Sequence, residues 1–245
     1  MTASRTPLLE VRGLSKAFGG LRAVDDLSFT VGEGEILGLL GPNGSGKTTV
    51  FNLIAGTAAP DGGHIYFSNQ QITRSSPSAR AALGIARTFQ LVRALPNLSV
   101  LDNVLVACLY GHARAPSLPR ARPEAMRFLD LVGLGDKGGF PAARLTLAER
   151  KRLEVARALA TQPRLLMLDE PAAGLNPVEV NAVLSLCGQM RAGGITLIVV
   201  EHNVHVARVL CDRVVVLSSG KMIADGPPAR ALEHPQVVEV YLGRT

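Results

Sequence analysis

The sequence predicts an α/β fold, in which a mainly parallel sheet is flanked by helices. Three observations support this prediction. Short apolar runs alternate with helical patterns along most of the chain, which indicates the core. Half-polar runs between glycine-containing turns indicate an antiparallel β-subdomain near the N-terminus, and a helical pattern over about 92–145 indicates an inserted helical subdomain.

The predicted core strands are apolar, without the polar alternation of a half-exposed strand. Such strands are typical of a parallel sheet covered by helices, because neither face of the strand meets water. Helical patterns alternate with these strands along the chain. The predicted strands cover 35–40, 165–168, 195–200 and 214–217, and the predicted helices cover 48–55, 178–190 and 204–210.

The N-terminal part has shorter runs that are half polar, at 8–11, 27–31 and 65–67. Turns that contain glycine separate them. We therefore expect an antiparallel β-subdomain before and after the first core strand. The glycine-containing turns lie at 18–20, 31–34 and 61–63.

The insertion is predicted to contain two helices, at 100–109 and 124–132, of which the second ends at Gly133. The Arg/Pro-rich stretch 111–123 separates them. We interpret the whole chain as one domain. Its predicted parts are a core with the β-subdomain, at about 1–91 and 146–245, and a helical subdomain, at about 92–145.

The positive charge of the chain is concentrated in one segment. Residues 111–164 hold 11 Lys and Arg against 5 Asp and Glu, whereas the rest of the chain has 15 of each sign. Proteins that bind nucleic acid usually add aromatic side chains that stack on bases, but this chain is 4% aromatic and has no Trp. Nucleic acid is therefore not an expected partner. The basic segment is either a solvated helical face or a surface for an anionic membrane or an acidic partner.

The composition also predicts where the protein acts. The longest stretch without a charge, 48–60, has 13 residues, fewer than the roughly 18 to 20 that a membrane-spanning helix needs. Glu10 precedes any apolar segment, so we do not expect a secretory signal. Cys108, Cys187 and Cys211 lack metal-site spacing, and we interpret them as packing residues in a reducing compartment. We expect the protein to act in the cytosol.

A glycine-rich motif follows the first predicted core strand and opens the first helix. Residues 41–48 fit the phosphate-loop (Walker A) pattern GxxxxGK[ST]. Its glycines allow backbone N–H groups to surround phosphates, Lys47 is placed to bridge the β- and γ-phosphates, and Thr48 is placed to bind Mg²⁺. The candidate nucleotide-binding residues are Gly41, Pro42, Asn43, Gly44, Ser45, Gly46, Lys47, Thr48 and Thr49.

A second motif is an apolar strand that ends in two acids, at 165–170. A parallel strand next to the first would place both carboxylates at the sheet edge that carries the phosphate loop. Asp169 could then hold Mg²⁺ through water, and Glu170 could orient or deprotonate an attacking water. Together with the phosphate loop, this strand (Walker B) predicts a nucleoside triphosphatase.

The order of these motifs resembles the nucleotide-binding subunit of an ATP-binding cassette (ABC) transporter, a P-loop NTPase of ABC type, over nearly the whole chain. The resemblance also includes Gln90 between the two motifs, a helix start at 145–157 and His202 after the strand 195–200. More narrowly, the chain resembles the LivG-type ATPases of branched-chain amino-acid importers. The segments that carry this closer resemblance are 18–21, 86–90, 170–177 and 240–243.

The resemblance also implies roles for residues to which the sequence pattern alone assigns none. Phe18 would stack on the adenine of ATP, with Val24 beside it. Gln90 would reach Mg²⁺ and the attacking water, and His202 would contact the γ-phosphate. ATP and Mg²⁺ are the cofactors that it implies.

The chain departs from the family at the signature loop, which reads LSGGQ in relatives and Leu-Thr-Leu-Ala-Glu at 145–149 here. By the resemblance, Thr146, Leu147, Ala148 and Glu149 would contact ATP held by a second subunit. Thr146 keeps a hydroxyl, but both glycines are absent, so a Cβ stands where close approach is needed. Thr146 and Glu149 also form a capping-box pattern, which predicts the start of a helix.

The resemblance implies an ATP-hydrolysing subunit that powers an importer, with branched-chain or other hydrophobic amino acids as the default cargo. Its partners would be a sister or identical ATPase, two membrane permease subunits and, indirectly, a substrate-binding protein. It would lie at the cytoplasmic side of the plasma (inner) membrane as a peripheral subunit.

Three alternatives stay open at this point. The ATPases of lipopolysaccharide export resemble the same subfamily. Soluble ABC proteins that act on ribosomes or DNA usually carry two cassettes or a long insert, for which 245 residues leave no room. A scaffold that binds ATP without hydrolysis is favoured only by the altered signature, and Glu170 argues against it.

Overall fold

The computed structural model describes residues 7–88, 95–113 and 115–242, which form two sheets and the helices that cover them. The strands are β1 (Pro7–Phe18), β2 (Leu21–Gly32), β3 (Ile36–Leu40), β4 (Gly62–Phe67), β5 (Gln70–Gln71), β6 (Ile85–Arg87), β7 (Leu165–Asp169), β8 (Thr196–Val200), β9 (Arg213–Ser218) and β10 (Lys221–Gly226). The helices are α1 (Lys47–Ala55), α2 (Pro77–Ala82), α3 (Val100–Tyr110), α4 (Leu118–Leu131), α5 (Leu147–Ala160), α6 (Pro177–Ala192), α7 (Val204–Leu210), α8 (Pro228–Ala231) and α9 (Pro235–Leu242).

The larger sheet has six strands in the order β10-β9-β3-β8-β7-β6. All of its pairs are parallel except β9 with β10. Alternate residues of β3 enter two separate apolar clusters, with Leu37 and Leu39 on one face and Ile36 and Leu40 on the other. The sheet is therefore buried on both faces, which confirms the prediction from the unbroken apolar runs.

The strand that ends in Asp169 does not lie beside the phosphate-loop strand. β7 pairs with β8, and β8 in turn pairs with β3. The expectation that the two strands are direct neighbours is therefore wrong. Because all three strands are parallel, their carboxyl ends still share one edge of the sheet, which is what the predicted site requires.

The smaller sheet is antiparallel, in the order β2-β1-β4-β5, and it encloses one apolar cluster together with α1. β1 and β2 have 12 residues each and are longer than predicted. Register shifts along the β1–β2 pair allow both strands to continue through polar positions that interrupt the apolar pattern.

The second helix of the insertion begins at Leu118, six residues before the predicted start. The Arg/Pro-rich stretch is therefore partly helical. Pro119 occupies the first turn, where its missing N–H costs no intrahelical hydrogen bond, and only Pro123 lies deeper in the helix. Arg120 and Arg122 project from this helix to solvent.

Helix α5 follows the insertion and packs against α3, α4 and β6. Leu153 and Leu159 are buried on its inner face. The three cysteines are buried and unpaired, in keeping with packing roles. In the part of the chain that the structure describes, no helix is long and apolar enough to cross a membrane.

Candidate functional site

The phosphate loop connects β3 to α1 and is built on backbone that favours glycine. Gly41, Gly44 and Gly46 have φ angles of 144°, 77° and 106°. A Cβ on Gly46 would lie 2.3 Å from the carbonyl oxygen of Ala23, so the loop packs directly against β2. A side chain at Gly41 or Gly46 would therefore displace the backbone of the loop.

Lys47 is buried at the start of α1 and is held by the loop itself. Its Nζ donates to the carbonyl oxygens of Gly41 and Pro42, at 2.6 and 2.8 Å. Burial lowers the pKa of the ammonium, while the nearby carboxylates of Glu170 and Asp169 raise it. The cation is thus available at the loop, close to the acidic end of β7.

Ser45 supplies a test of whether the loop fits a polar ligand. Its Oγ is buried, and no hydrogen-bond partner for it occurs among the described residues. A buried hydroxyl without a partner costs free energy, so it is expected where a ligand completes the hydrogen bond. Thr48, by contrast, is exposed in the first turn of α1, where a metal-bound phosphate can reach it. The loop therefore fits a nucleotide phosphate with Mg²⁺.

Asp169 is the last residue of β7, and Glu170 follows it. Both lie at the sheet edge that carries the phosphate loop. Asp169 is buried, and burial raises its pKa, while Arg87 at 3.9 Å from its Oδ2 opposes the shift. Its backbone N–H donates to Thr88 Oγ1 at 3.1 Å. Glu170 has a φ of 48°, unusual for a residue with a side chain, and its side chain is 21% exposed. The strand thus presents one buried and one accessible carboxylate.

His202 lies opposite Glu170, and its predicted contact with the γ-phosphate stays a prediction. Its Nδ1 is 3.8 Å from Glu170 Oε1, and its side chain is 55% exposed. The preceding residue, Glu201, is 1% exposed and accepts a hydrogen bond from the N–H of Ala172 at 3.2 Å. The ends of β7 and β8 therefore bring the acid and the histidine together in an open position.

The two residues that were predicted to contact adenine, Phe18 and Val24, lie in different environments. Phe18 is 55% exposed at the end of β1, and Lys16 Nζ lies over its ring, 5.5 Å from the ring centre. Val24 is 1% exposed and packs in the apolar cluster of the β-subdomain. The placement of Val24 beside the adenine is therefore corrected. Side chains alternate along β2, so Val24 points into the core, whereas Ala23 is partly exposed and meets the phosphate loop through its backbone carbonyl oxygen.

The altered signature forms the N-terminus of α5. Thr146 and Glu149 make the predicted capping box, in which each side chain accepts a hydrogen bond from the other residue's backbone N–H. Lys137 also bonds the Glu149 carboxylate, and these contacts lower the pKa of Glu149 to about 2. Leu147 is 60% exposed and Ala148 is half-buried. The first turn is thus rigid and accessible to a second molecule.

Gln90 lies outside the described residues, so its predicted role stays a prediction. Three further residues contact the site, and the motifs assigned none of them a role there. Glu201 and Lys151 hold the backbone that follows β7, and Tyr241 bonds the first glycine of the phosphate loop. Each acts on backbone atoms from a distant part of the chain, which a local pattern cannot reveal.

Tyr241 ties the C-terminal helix to the phosphate loop. The N–H of Gly41 donates to its hydroxyl at 2.9 Å, and Gly41 is buried. Tyr241→Phe would leave this N–H without a partner and is expected to lower the free energy of unfolding by about 1 to 3 kcal/mol. Urea unfolding measures the change, with Tyr110→Phe as control because Tyr110 is 76% exposed. Equal unfolding midpoints for Tyr241→Phe and the parent protein would show that the bond does not contribute.

Comparisons with known proteins agree with this geometry. The ABC transporter family profile matches residues 24–173, and a profile described as "Branched-chain amino acid ATP-binding cassette transporter" matches 221–245. The chain is 38% identical to the high-affinity branched-chain amino acid transport ATP-binding protein BraF of Pseudomonas aeruginosa, over 97% of this chain and 98% of that protein. It is also 38% identical to the lipopolysaccharide export system ATP-binding protein LptB of Acidithiobacillus ferridurans, over 96% and 97%.

A solved structure shows the same fold. The ADP conformation of an ATP-binding cassette of an ABC transporter superposes with a TM-score of 0.87 at 30% identity, over 98% of this chain and 100% of that one. The phosphate loop, the acid pair and the histidine thus lie on a cassette fold that matches relatives over almost their full length. The chain belongs to the ABC transporter family, among its ATP-binding subunits.

Proposed function

We propose that this chain binds Mg-ATP and hydrolyses it to drive an importer of branched-chain or other hydrophobic amino acids. The single observation that carries the hydrolysis is the convergence of three groups at one sheet edge. Lys47, Glu170 and His202 come from separate motifs, and the parallel strands bring them together. Each has the chemistry of one task in phosphoryl transfer.

Each residue has a separate task in the reaction. Lys47 exchanges its loop carbonyls for phosphate oxygens, and the unpartnered Ser45 hydroxyl gains a bond to the nucleotide. Glu170 takes the proton of the attacking water, whose oxygen bonds to the γ-phosphorus while the bond from that phosphorus to the leaving oxygen of ADP breaks. His202 contacts the γ-phosphate beside Glu170. Thr48 and Asp169 would hold Mg²⁺, which neutralises charge on the phosphates.

A second subunit completes the site in this proposal. The exposed first turn of α5 carries Thr146, whose hydroxyl and helix N-terminus suit a phosphate held by another ATPase. The partner is an identical chain or a sister ATPase. Two membrane permease subunits and, through them, a substrate-binding protein make up the rest of the transporter. The ATPase chain itself lies at the cytoplasmic side of the plasma (inner) membrane, as a peripheral subunit.

Import is supported by the C-terminal match over 221–245 and by the BraF similarity. Export of lipopolysaccharide is a second candidate, because the sequence identity of LptB to the chain is also 38%. The two differ in what stimulates hydrolysis. We expect the complex with its permease subunits, in liposomes, to hydrolyse ATP several-fold faster when its binding protein and leucine are present. Stimulation by lipopolysaccharide alone would favour the exporter instead.

A further inference from the structure

Three consecutive cations on α5 bond backbone carbonyl groups of three different segments. Arg150, Lys151 and Arg152 follow the capping box directly, and each donates from its side chain. Of the three, Lys151 reaches the segment that follows β7, where the candidate base stands. The acceptors are Ala143 and Leu145 for Arg150, Glu170 and Ala173 for Lys151, and Val132 and Gly133 for Arg152.

Lys151 contacts both ends of a tight turn. Its Nζ lies 2.5 Å from the carbonyl oxygen of Ala173 and 3.4 Å from that of Glu170. The N–H of Ala173 also donates to the Glu170 carbonyl, which closes the turn at 3.2 Å. The ammonium therefore draws together the two carbonyl groups that the turn brings close, and it neutralises their partial charges.

Glu170 needs such support because of its backbone conformation. A φ of 48° is strained for a residue with a Cβ, and it persists only when neighbouring contacts hold it. This conformation sets the direction of the carboxylate toward His202. Loss of the hold would let the backbone relax, and the carboxylate would leave its place at the sheet edge.

A second side chain holds the same turn from the opposite side. Glu201, buried at the end of β8, accepts from the N–H of Ala172. Lys151 thus bonds carbonyl groups of the turn while Glu201 bonds an amide within it. Glu201 immediately precedes His202, so one short segment holds the turn and presents the histidine.

We propose that Lys151 is a positioning residue for hydrolysis: it holds the backbone of Glu170 and ties the base to the helix that begins with Thr146. The inference rests on the proposed function, since it assigns Glu170 the role of base. Lys151 contributes no bond to the phosphate loop, so it acts on the rate of hydrolysis rather than on the binding of ATP. A change at the α5 N-terminus would reach Glu170 through the same ammonium.

The test compares three full-length variants. Lys151→Met keeps the length of the side chain without the charge, Lys151→Arg restores a cation, and Arg152→Met is the matched control on the next position. We expect Lys151→Met to lower the single-turnover rate of hydrolysis, with the protein in excess and all ATP bound, about 10-fold while the Kd for ATP changes less than 2-fold. Lys151→Arg should recover most of the rate, and Arg152→Met should stay within 2-fold of the parent.

Two outcomes would overturn the positioning role of Lys151 without refuting the proposed function. Unchanged hydrolysis in Lys151→Met, in a protein whose Glu170→Gln variant is inactive, would remove the positioning role alone. Equal losses in Lys151→Met and Arg152→Met would indicate a general effect of charge on α5 and also overturn it. Thermal unfolding of each variant identifies loss through misfolding; if Lys151→Met unfolds early, Lys151→Gln provides the same comparison. Hydrolysis that survives Glu170→Gln would instead refute the function.

Discussion

Replacing Glu170 by Gln is expected to slow ATP hydrolysis at least about 10²-fold, the usual range for loss of a general base. The amide keeps the shape of the side chain and its place opposite His202, but it cannot take a proton from water. ATP binding should persist, because the phosphate loop contributes its contacts from β3 and α1. The measurements are the single-turnover rate of hydrolysis, with the protein in excess and all ATP bound, and the Kd for ATP.

The control for this variant is Glu233→Gln, since Glu233 is an exposed carboxylate after α8, remote in sequence from the motifs. It should hydrolyse ATP at the parent rate. The neighbouring Asp169 cannot substitute for the base, because it is buried and lies against Arg87. A Glu170→Gln protein with unchanged turnover would therefore refute both the assignment of the base and the hydrolytic function.

Much of the core could be predicted because its signals are local. The apolar runs around β3, β7, β8 and β9 leave no polar face, and α7 spans the predicted residues. The motif residues of the phosphate loop follow from the same local reasoning, since the glycine spacing and the strand-to-helix change occur together. Residue types at short range carry this information.

Other features depend on packing between distant segments, which no short pattern encodes. The place of β8 between β3 and β7 is set by the pairing of strands far apart in sequence. Val24 was misplaced because its direction depends on the register of β2. β10 and α9 were not predicted, because their short, partly polar runs are stabilised by contacts with β9 and with the phosphate loop.

The altered signature shows what a local pattern can and cannot establish. The capping box at Thr146 and Glu149 was predicted from four residues and is present. Whether the same turn binds a nucleotide depends on how a second subunit packs against it, which a local pattern does not encode. The role of Thr146, Leu147, Ala148 and Glu149 in a composite site stays a prediction.

Lys47→Ala is expected to weaken ATP binding by about 10²-fold or more. Each hydrogen bond from a charged donor contributes roughly 1.5 to 3 kcal/mol, and Lys47 is placed to bond two phosphate groups. A loss of about 3 kcal/mol corresponds to about a hundredfold change in Kd. The loss applies to binding itself, so hydrolysis should not recover when ATP is raised to the concentrations that saturate the parent protein.

The substitution also removes the donor of two carbonyl groups, those of Gly41 and Pro42, so affinity and folding must be measured separately. Equilibrium binding of ATP gives the first and thermal unfolding without nucleotide gives the second. Lys221→Ala is the control, because Lys221 is also a lysine near the loop but its side chain is 67% exposed and pairs only with Asp25 among the described residues. If Lys47→Ala folds as the parent does and binds ATP with equal Kd, the loop does not hold the phosphates through this ammonium, and the assignment of Lys47 fails.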